Sequence, residues 1–148
     1  MIRIAEDAAR AIRGHGRRAY PEECCGALLG TSANGAESAD FAIEAEPVKN
    51  ARPDERRRRF RIEAADYRRL ERLAEARGKT LLGFYHSHPD HAAAPSEYDR
   101  DHALPVFHYV VLGVVSGEPG EMTSWVMSDD RRTFLREEIR TAGAGEQE

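Results

Sequence analysis

His86 and His88 stand two residues apart at the end of the apolar run Thr80-Leu81-Leu82-Gly83-Phe84-Tyr85. If that run is a strand, a side-chain period of two turns both imidazoles to one face, where they can offer two nitrogen ligands to one cation. Imidazole nitrogen and carboxylate oxygen together suit Zn²⁺. By itself His-x-His reads equally well as two polar residues at a strand end. The residues that follow add weight: after His88 come seven residues, then Ser96, two more, and Asp99. A turn at Pro89 can fold the next segment back over the strand end and bring Asp99 in as a third, oxygen ligand. Three protein ligands leave the fourth tetrahedral position open, which marks a catalytic zinc rather than a structural one. Ser96-x-x-Asp99 is also a helix-capping pattern, with Ser96 as N-cap, and taken alone that is the plainer reading. The two roles are compatible, because the cap would hold the helix that aims Asp99.

The elements that must position these residues are read from hydrophobic period and punctuation. Ile4, Ala8, Ala9 and Ile12 recur at helical spacing, so residues 4–19 are expected as a helix ended by Gly14, Gly16 and Pro21. Cys24 to Leu29 reads as a buried strand and Phe41 to Val48 as its hairpin partner, joined by turn chemistry at 31–35. Asn50 to Glu55 reads as a loop, followed by the charge run Arg56–Arg59 and Phe60-Arg61-Ile62. A helix is expected over Ala64–Arg77, with Tyr67, Leu70, Leu73 and Ala74 on one face and Gly78 as its stop. The continuous apolar content of 80–85 predicts a central strand, and Ser96 to His102 a short helix. Phe107–Val115 and Met122–Met127 read as further strands, while 131–140 fits both helix and strand periods. The class is α/β (α+β with a mixed sheet). One domain is expected over 1–140, with 141–148 as a disordered tail.

Composition bounds the remaining choices. The chain has 148 residues, 41% hydrophobic and 32% charged, enough for one domain with its own core. No apolar run is long enough to span a bilayer, and the N-terminus lacks the apolar stretch of a secretory signal. A net charge of −4 gives no general pull toward nucleic acid or an anionic membrane, so neither is expected as a partner. The adjacent pair Cys24-Cys25 has neither disulfide-framework nor Cys-x-x-Cys metal spacing. Two small buried strand thiols in a reduced, cytoplasmic protein are expected. His15, His102 and His108 are expected as surface or core residues rather than ligands.

His-x-His, seven residues, Ser, two residues, Asp, with a glutamate far upstream, resembles the signature of the JAMM (MPN+) metalloprotease family. The upstream element is Pro21-Glu22-Glu23-Cys24-Cys25-Gly26, similar to the family's Pro-x-Glu-x-x-Gly stretch, and that register selects Glu23 rather than Glu22. The likeness spans about residues 1–139. It implies a cytidine deaminase-like single domain, a curved mixed β-sheet flanked by helices. It implies one zinc per chain, held by His86, His88 and Asp99, with Glu23 moving protons and Ser96 donating a hydrogen bond to the oxyanion. The single compact domain resembles the prokaryotic branch, which implies hydrolysis at the C-terminal Gly-Gly tail of a ubiquitin-like sulfur-carrier protein. A homodimer is left open.

Two other readings compete. His86-Ser87-His88-Pro89-Asp90-His91 also matches the His-x-His-x-Asp-His string of metallo-β-lactamases, but that architecture needs further histidines well downstream, where only His102 and His108 follow. It would make Asp90 and His91 ligands; otherwise they are loop residues beside the site. The non-enzyme alternative is a catalytically silent MPN scaffold, which the retention of every motif residue disfavours.

Overall fold

Thr80–Pro89 (β4) carries the two histidines, and the rest of the fold is arranged around it. The computed structural model describes residues 1–33, 39–49 and 64–143. Before β4 come β1 (Ile2–Ala5), α1 (Glu6–Ala19), β2 (Cys25–Thr31), β3 (Asp40–Val48) and α2 (Ala64–Ala76). After it come α3 (Glu97–His102), β5 (His108–Val115), β6 (Glu118–Met127), β7 (Phe134–Glu137) and β8 (Ile139–Ala142). The strands form one eight-stranded sheet in the order β7-β6-β5-β4-β2-β3-β1-β8. β4 pairs antiparallel with β2 and parallel with β5, so the sheet is mixed. This is the expected class.

β4 and β2 lie mid-sheet and are covered on both faces, which is why they read as continuous apolar runs. Ala8, Ala9 and Ile12 of α1 pack on one face with Ile2, Ile4, Cys24, Leu28, Tyr85 and Leu112. α1 approaches closely at Gly16, where a Cβ would stand 2.7 Å from Leu112 Cδ2. Leu70 and Ala74 of α2 pack on the other face with Cys25, Leu29, Phe84 and Tyr109. Phe84 lies on the α2 face, so by period two His86 and His88 also face that side, and Tyr85 and Ser87 face α1.

Three expectations change. The segment at 2–5 is a strand, and the helix begins only at Glu6, because Ile2–Ala5 pairs in parallel with both β3 and β8. The ambiguous stretch 131–140 becomes two strands broken at Glu138. β8 runs through the buried Ala142, so residues 141–142, expected in the tail, belong to the sheet. The turn residues Asn34 and Gly35, the segment 50–63 with its arginine run, and 144–148 lie outside the described residues.

β7 and β8 sit on opposite edges of the sheet yet are separated by Glu138 alone, so the sheet curls until its edges meet there. A charged cluster fastens that corner. His108 donates from Nδ1 to Glu137 Oε2 (2.6 Å) and from Nε2 to Asp40 Oδ2 (2.7 Å). Ser124 Oγ donates to Glu137 Oε2 (2.7 Å), and the Met1 ammonium lies 3.2 Å from Glu137 Oε1. Burial alone would lower the His108 pKa, but the hydrogen bonds and charges of Glu137 and Asp40 outweigh it and raise the value above 6.5. The stability this imidazolium contributes is complete below the unfolded value and is lost as pH rises through the raised folded one. Replacing His108 with Gln is expected to cost about 1–3 kcal/mol at pH 6, by removing the imidazolium that Glu137 and the partly exposed Asp40 share. Urea unfolding from pH 6 to 9 should show the gap in stability between wild type and His108→Gln shrinking as pH rises; parallel curves would contradict the assignment.

Candidate active site

The site is built at the end of β4, where its pairing with β2 stops while that with β5 continues to Pro89. His86 pairs with Cys25 on β2 and with Val111 on β5. One step on, Ser87 N donates to Cys24 O (3.0 Å) and Cys24 N to Ser87 Oγ (2.9 Å). The ladder thus brings Glu23 across from His88. Ligand atoms of Glu23, His86 and His88 all lie within 4.8 Å of one another, and all three residues are buried. Glu22 is less buried and borders a cavity of about 240 Å³ that Glu23 also lines, but only Glu23 reaches the larger cavity of about 750 Å³ on the histidine side. Of the two glutamates, Glu23 is the one grouped with the histidines.

Asp99 arrives from the other direction. Ser96 begins α3 with a reciprocal cap: Asp99 N donates to Ser96 Oγ (3.1 Å) and Ser96 N to Asp99 Oδ2 (2.8 Å). The same Oδ2 lies 3.1 Å from His86 Nε2 and 3.2 Å from His88 Nε2, and the two Nε2 atoms are 3.0 Å apart. Three donor atoms form a nearly equilateral triangle. The capping reading and the ligand reading of Asp99 thus meet in one carboxylate, with its cap fixing the angle of approach. Ser96 Oγ accepts one hydrogen bond in the cap and keeps its own proton to donate.

His88 Nδ1 lies 3.0 Å from Ala92 O. A carbonyl can only accept, so Nδ1 carries the proton and Nε2 keeps its lone pair toward His86 and Asp99. Burial lowers the pKa of His86, keeping it neutral, the form in which imidazole binds metal. Burial opposes ionisation of Asp99, but the facing His86 and the hydrogen bond from the Ser96 N–H together hold its carboxyl well below the usual range. The donor set of two imidazole nitrogens and one carboxylate oxygen fits a divalent, borderline-soft cation. Ligands of a tetrahedral zinc stand about 3.3–3.6 Å apart, close to the spacing found here.

Glu23, His88, His91, Ser96 and Tyr98 line one cavity of about 750 Å³. His91 borders this cavity, whereas Asp90 is engaged elsewhere: its carboxylate accepts from Ser116 N (2.8 Å) and Tyr20 OH (2.7 Å). That leaves the metallo-β-lactamase string without its aspartate. The other histidines also have structural partners: His15 Nδ1 with Tyr85 OH, His102 Nδ1 with Tyr98 O, and His108 in its carboxylate cluster. Both cysteines are free and buried, and burial pushes Cys24 up to about 11 and Cys25 up to about 12. Neither supplies a thiolate nucleophile at neutral pH. The Ala92 carbonyl was not foreseen from sequence, since a backbone acceptor has no residue signature.

The family of prokaryotic homologues of the JAB domain matches residues 5–128. The chain belongs to this family. It is similar to a desampylase of Haloferax volcanii, 31% identical over 134 residues covering 87% of this chain and 89% of that protein. It is also similar to a CysO-cysteine peptidase of Mycobacterium bovis, 30% identical over 131 residues covering 87% of this chain and 84% of the other. Its fold matches a JAB1/MPN domain protein from Archaeoglobus fulgidus, with a TM-score of 0.59 over 95% of this chain and 97% of that one at 16% identity. This JAB-domain protein is an enzyme of the JAMM peptidase class. No helix among its described residues is long and apolar enough to cross a membrane.

Proposed function

We propose that this JAB-domain enzyme is a zinc-dependent peptidase and isopeptidase, cleaving amide bonds at the C-terminal Gly-Gly tail of a small ubiquitin-like, sulfur-carrier-type protein. The observation that carries the reading is the triangle of His86 Nε2, His88 Nε2 and Asp99 Oδ2, with edges of 3.0–3.2 Å, beside the buried Glu23. His86, His88 and Asp99 would hold one zinc. A zinc ion there would supply Lewis acidity toward a carbonyl and would lower the pKa of a bound water from 15.7 to about 7.

The chain's own residues perform the rest. Glu23 takes a proton from the attacking water and returns it to the leaving amine, so the carboxylate ends the cycle as it began. Ser96, whose Oγ already accepts the cap hydrogen bond, donates its proton to the carbonyl oxygen as charge gathers there; such a donor contributes about 10²–10³ in turnover. Ala92 O holds the His88 ring so that its Nε2 faces the metal position. The cavity wall formed by His91, Ser96 and Tyr98 bounds the path of the substrate.

A Gly-Gly tail suits a recessed site because it has no side chains to exclude and can adopt any backbone conformation needed to reach it. The names of the two relatives, desampylase and CysO-cysteine peptidase, support a bond to a small protein as the target. The free, buried thiols fit a reducing cytoplasm. The test is incubation of the zinc-loaded enzyme with a Gly-Gly-tailed carrier bearing a C-terminal amino acid or lysine adduct, read by mass spectrometry. The expected product is the carrier ending in Gly-Gly. An intact carrier alongside cleavage of unrelated peptides would overturn the substrate assignment.

A further inference from the structure

We infer that Thr123, on a strand that contributes no ligand, is a positioning residue that fixes His88 through the loop after β4. The inference rests on the reading that His88 holds the metal. Thr123 is buried on β6 and pairs with Val111, which pairs in turn with His86, so all three share the site face of the sheet. Its Oγ1 donates to Ala93 O at 2.6 Å. Trp125 Nε1 lies 2.8 Å from the same Oγ1, and an indole N–H can only donate. The Thr123 hydroxyl must therefore spend its single proton on Ala93.

Ala93 is buried, and its neighbour Ala92 supplies the carbonyl that accepts from His88 Nδ1. The loop lies over Gly113, with Ala93 and His91 backbone atoms within 4 Å of where a Cβ would be. Its start is tied down separately, by Asp90 on Ser116 N and Tyr20 OH. Between those ties and the histidine, the Thr123 hydrogen bond holds the Ala93–Ala94 peptide, whose N–H donates in turn to Ala92 O (2.8 Å). Removing it leaves the Ala93 carbonyl without its donor and frees that peptide to rotate, which withdraws the Ala94 N–H that braces Ala92 O against the imidazole. Loss of such a supporting hydrogen bond typically costs 10–100-fold in metal affinity.

The test is zinc affinity of the full-length chain, by competition with a chromophoric chelator, with thermal melting of the zinc-free protein measured in parallel. Thr123→Val is expected to weaken zinc binding by about 10–100-fold. Thr123→Ser, which keeps the hydroxyl, is expected to bind close to the wild type. Trp125→Phe removes the donor that commits the Thr123 proton and is expected to weaken binding in the same direction by less; it serves if Thr123→Val does not fold. Unchanged affinity in the foldable variants would overturn the inference. So would a loss in Thr123→Ser as large as in Thr123→Val, which would assign the effect to packing. A wild type that binds no zinc would overturn the metal reading itself, and this inference with it.

Discussion

Replacing Glu23 with Gln is expected to lower turnover by about 10²–10⁴ while zinc stays bound at one per chain. Gln keeps the volume and burial of the side chain but cannot accept the water's proton or pass it to the leaving amine. Because the three ligand atoms assigned to the metal come from His86, His88 and Asp99, the substitution leaves that set intact. Glu22→Gln is the control, since Glu22 lies outside both the glutamate–histidine group and the lining of the larger cavity. Turnover and zinc content measured together on both variants separate proton transfer from metal binding. If Glu22→Gln lost activity and Glu23→Gln kept it, the roles of the two glutamates would be exchanged.

His88→Ala is expected to have the larger consequence, loss of both zinc and hydrolysis. The substitution removes one corner of the donor triangle and leaves a two-ligand site, too few for a tightly held ion. Losing a Lewis acid worth several kcal/mol in the transition state corresponds to about 10³-fold or more in rate. The fold should survive. Neither apolar cluster draws on His88, and the Ser96–Asp99 cap closes without it. A cooperative thermal transition in the variant, together with absent zinc and absent hydrolysis, is the expected pattern. Retained hydrolysis in a variant shown to lack zinc would contradict it.

The site was legible in the sequence because its geometry follows from short-range periodicity. A strand puts residues 86 and 88 on one face whatever the rest of the fold does, and a capping pattern sets how Asp99 enters. What the sequence could not show depends on partners far along the chain. Ile2–Ala5 blends into the helical spacing of Ile4, Ala8 and Ile12, and becomes a strand because β3 and β8 flank it. Residues 131–140 carry both periods, and the choice is made by the edges of a curled sheet, to which β7 and β8 add on opposite sides. The support beneath His88 was equally hidden. One of its members is the carbonyl of an alanine, and the other is a threonine that looks like any strand residue until its hydroxyl is seen on Ala93.

The most direct test of the metal centre is elemental analysis of the purified wild-type and His88→Ala proteins after exposure to zinc and exhaustive dialysis. The expected result is one zinc per wild-type chain and none in the variant. A wild type that retains no zinc yet hydrolyses its substrate at full rate would contradict the assignment of His86, His88 and Asp99 as the ligands of a catalytic ion.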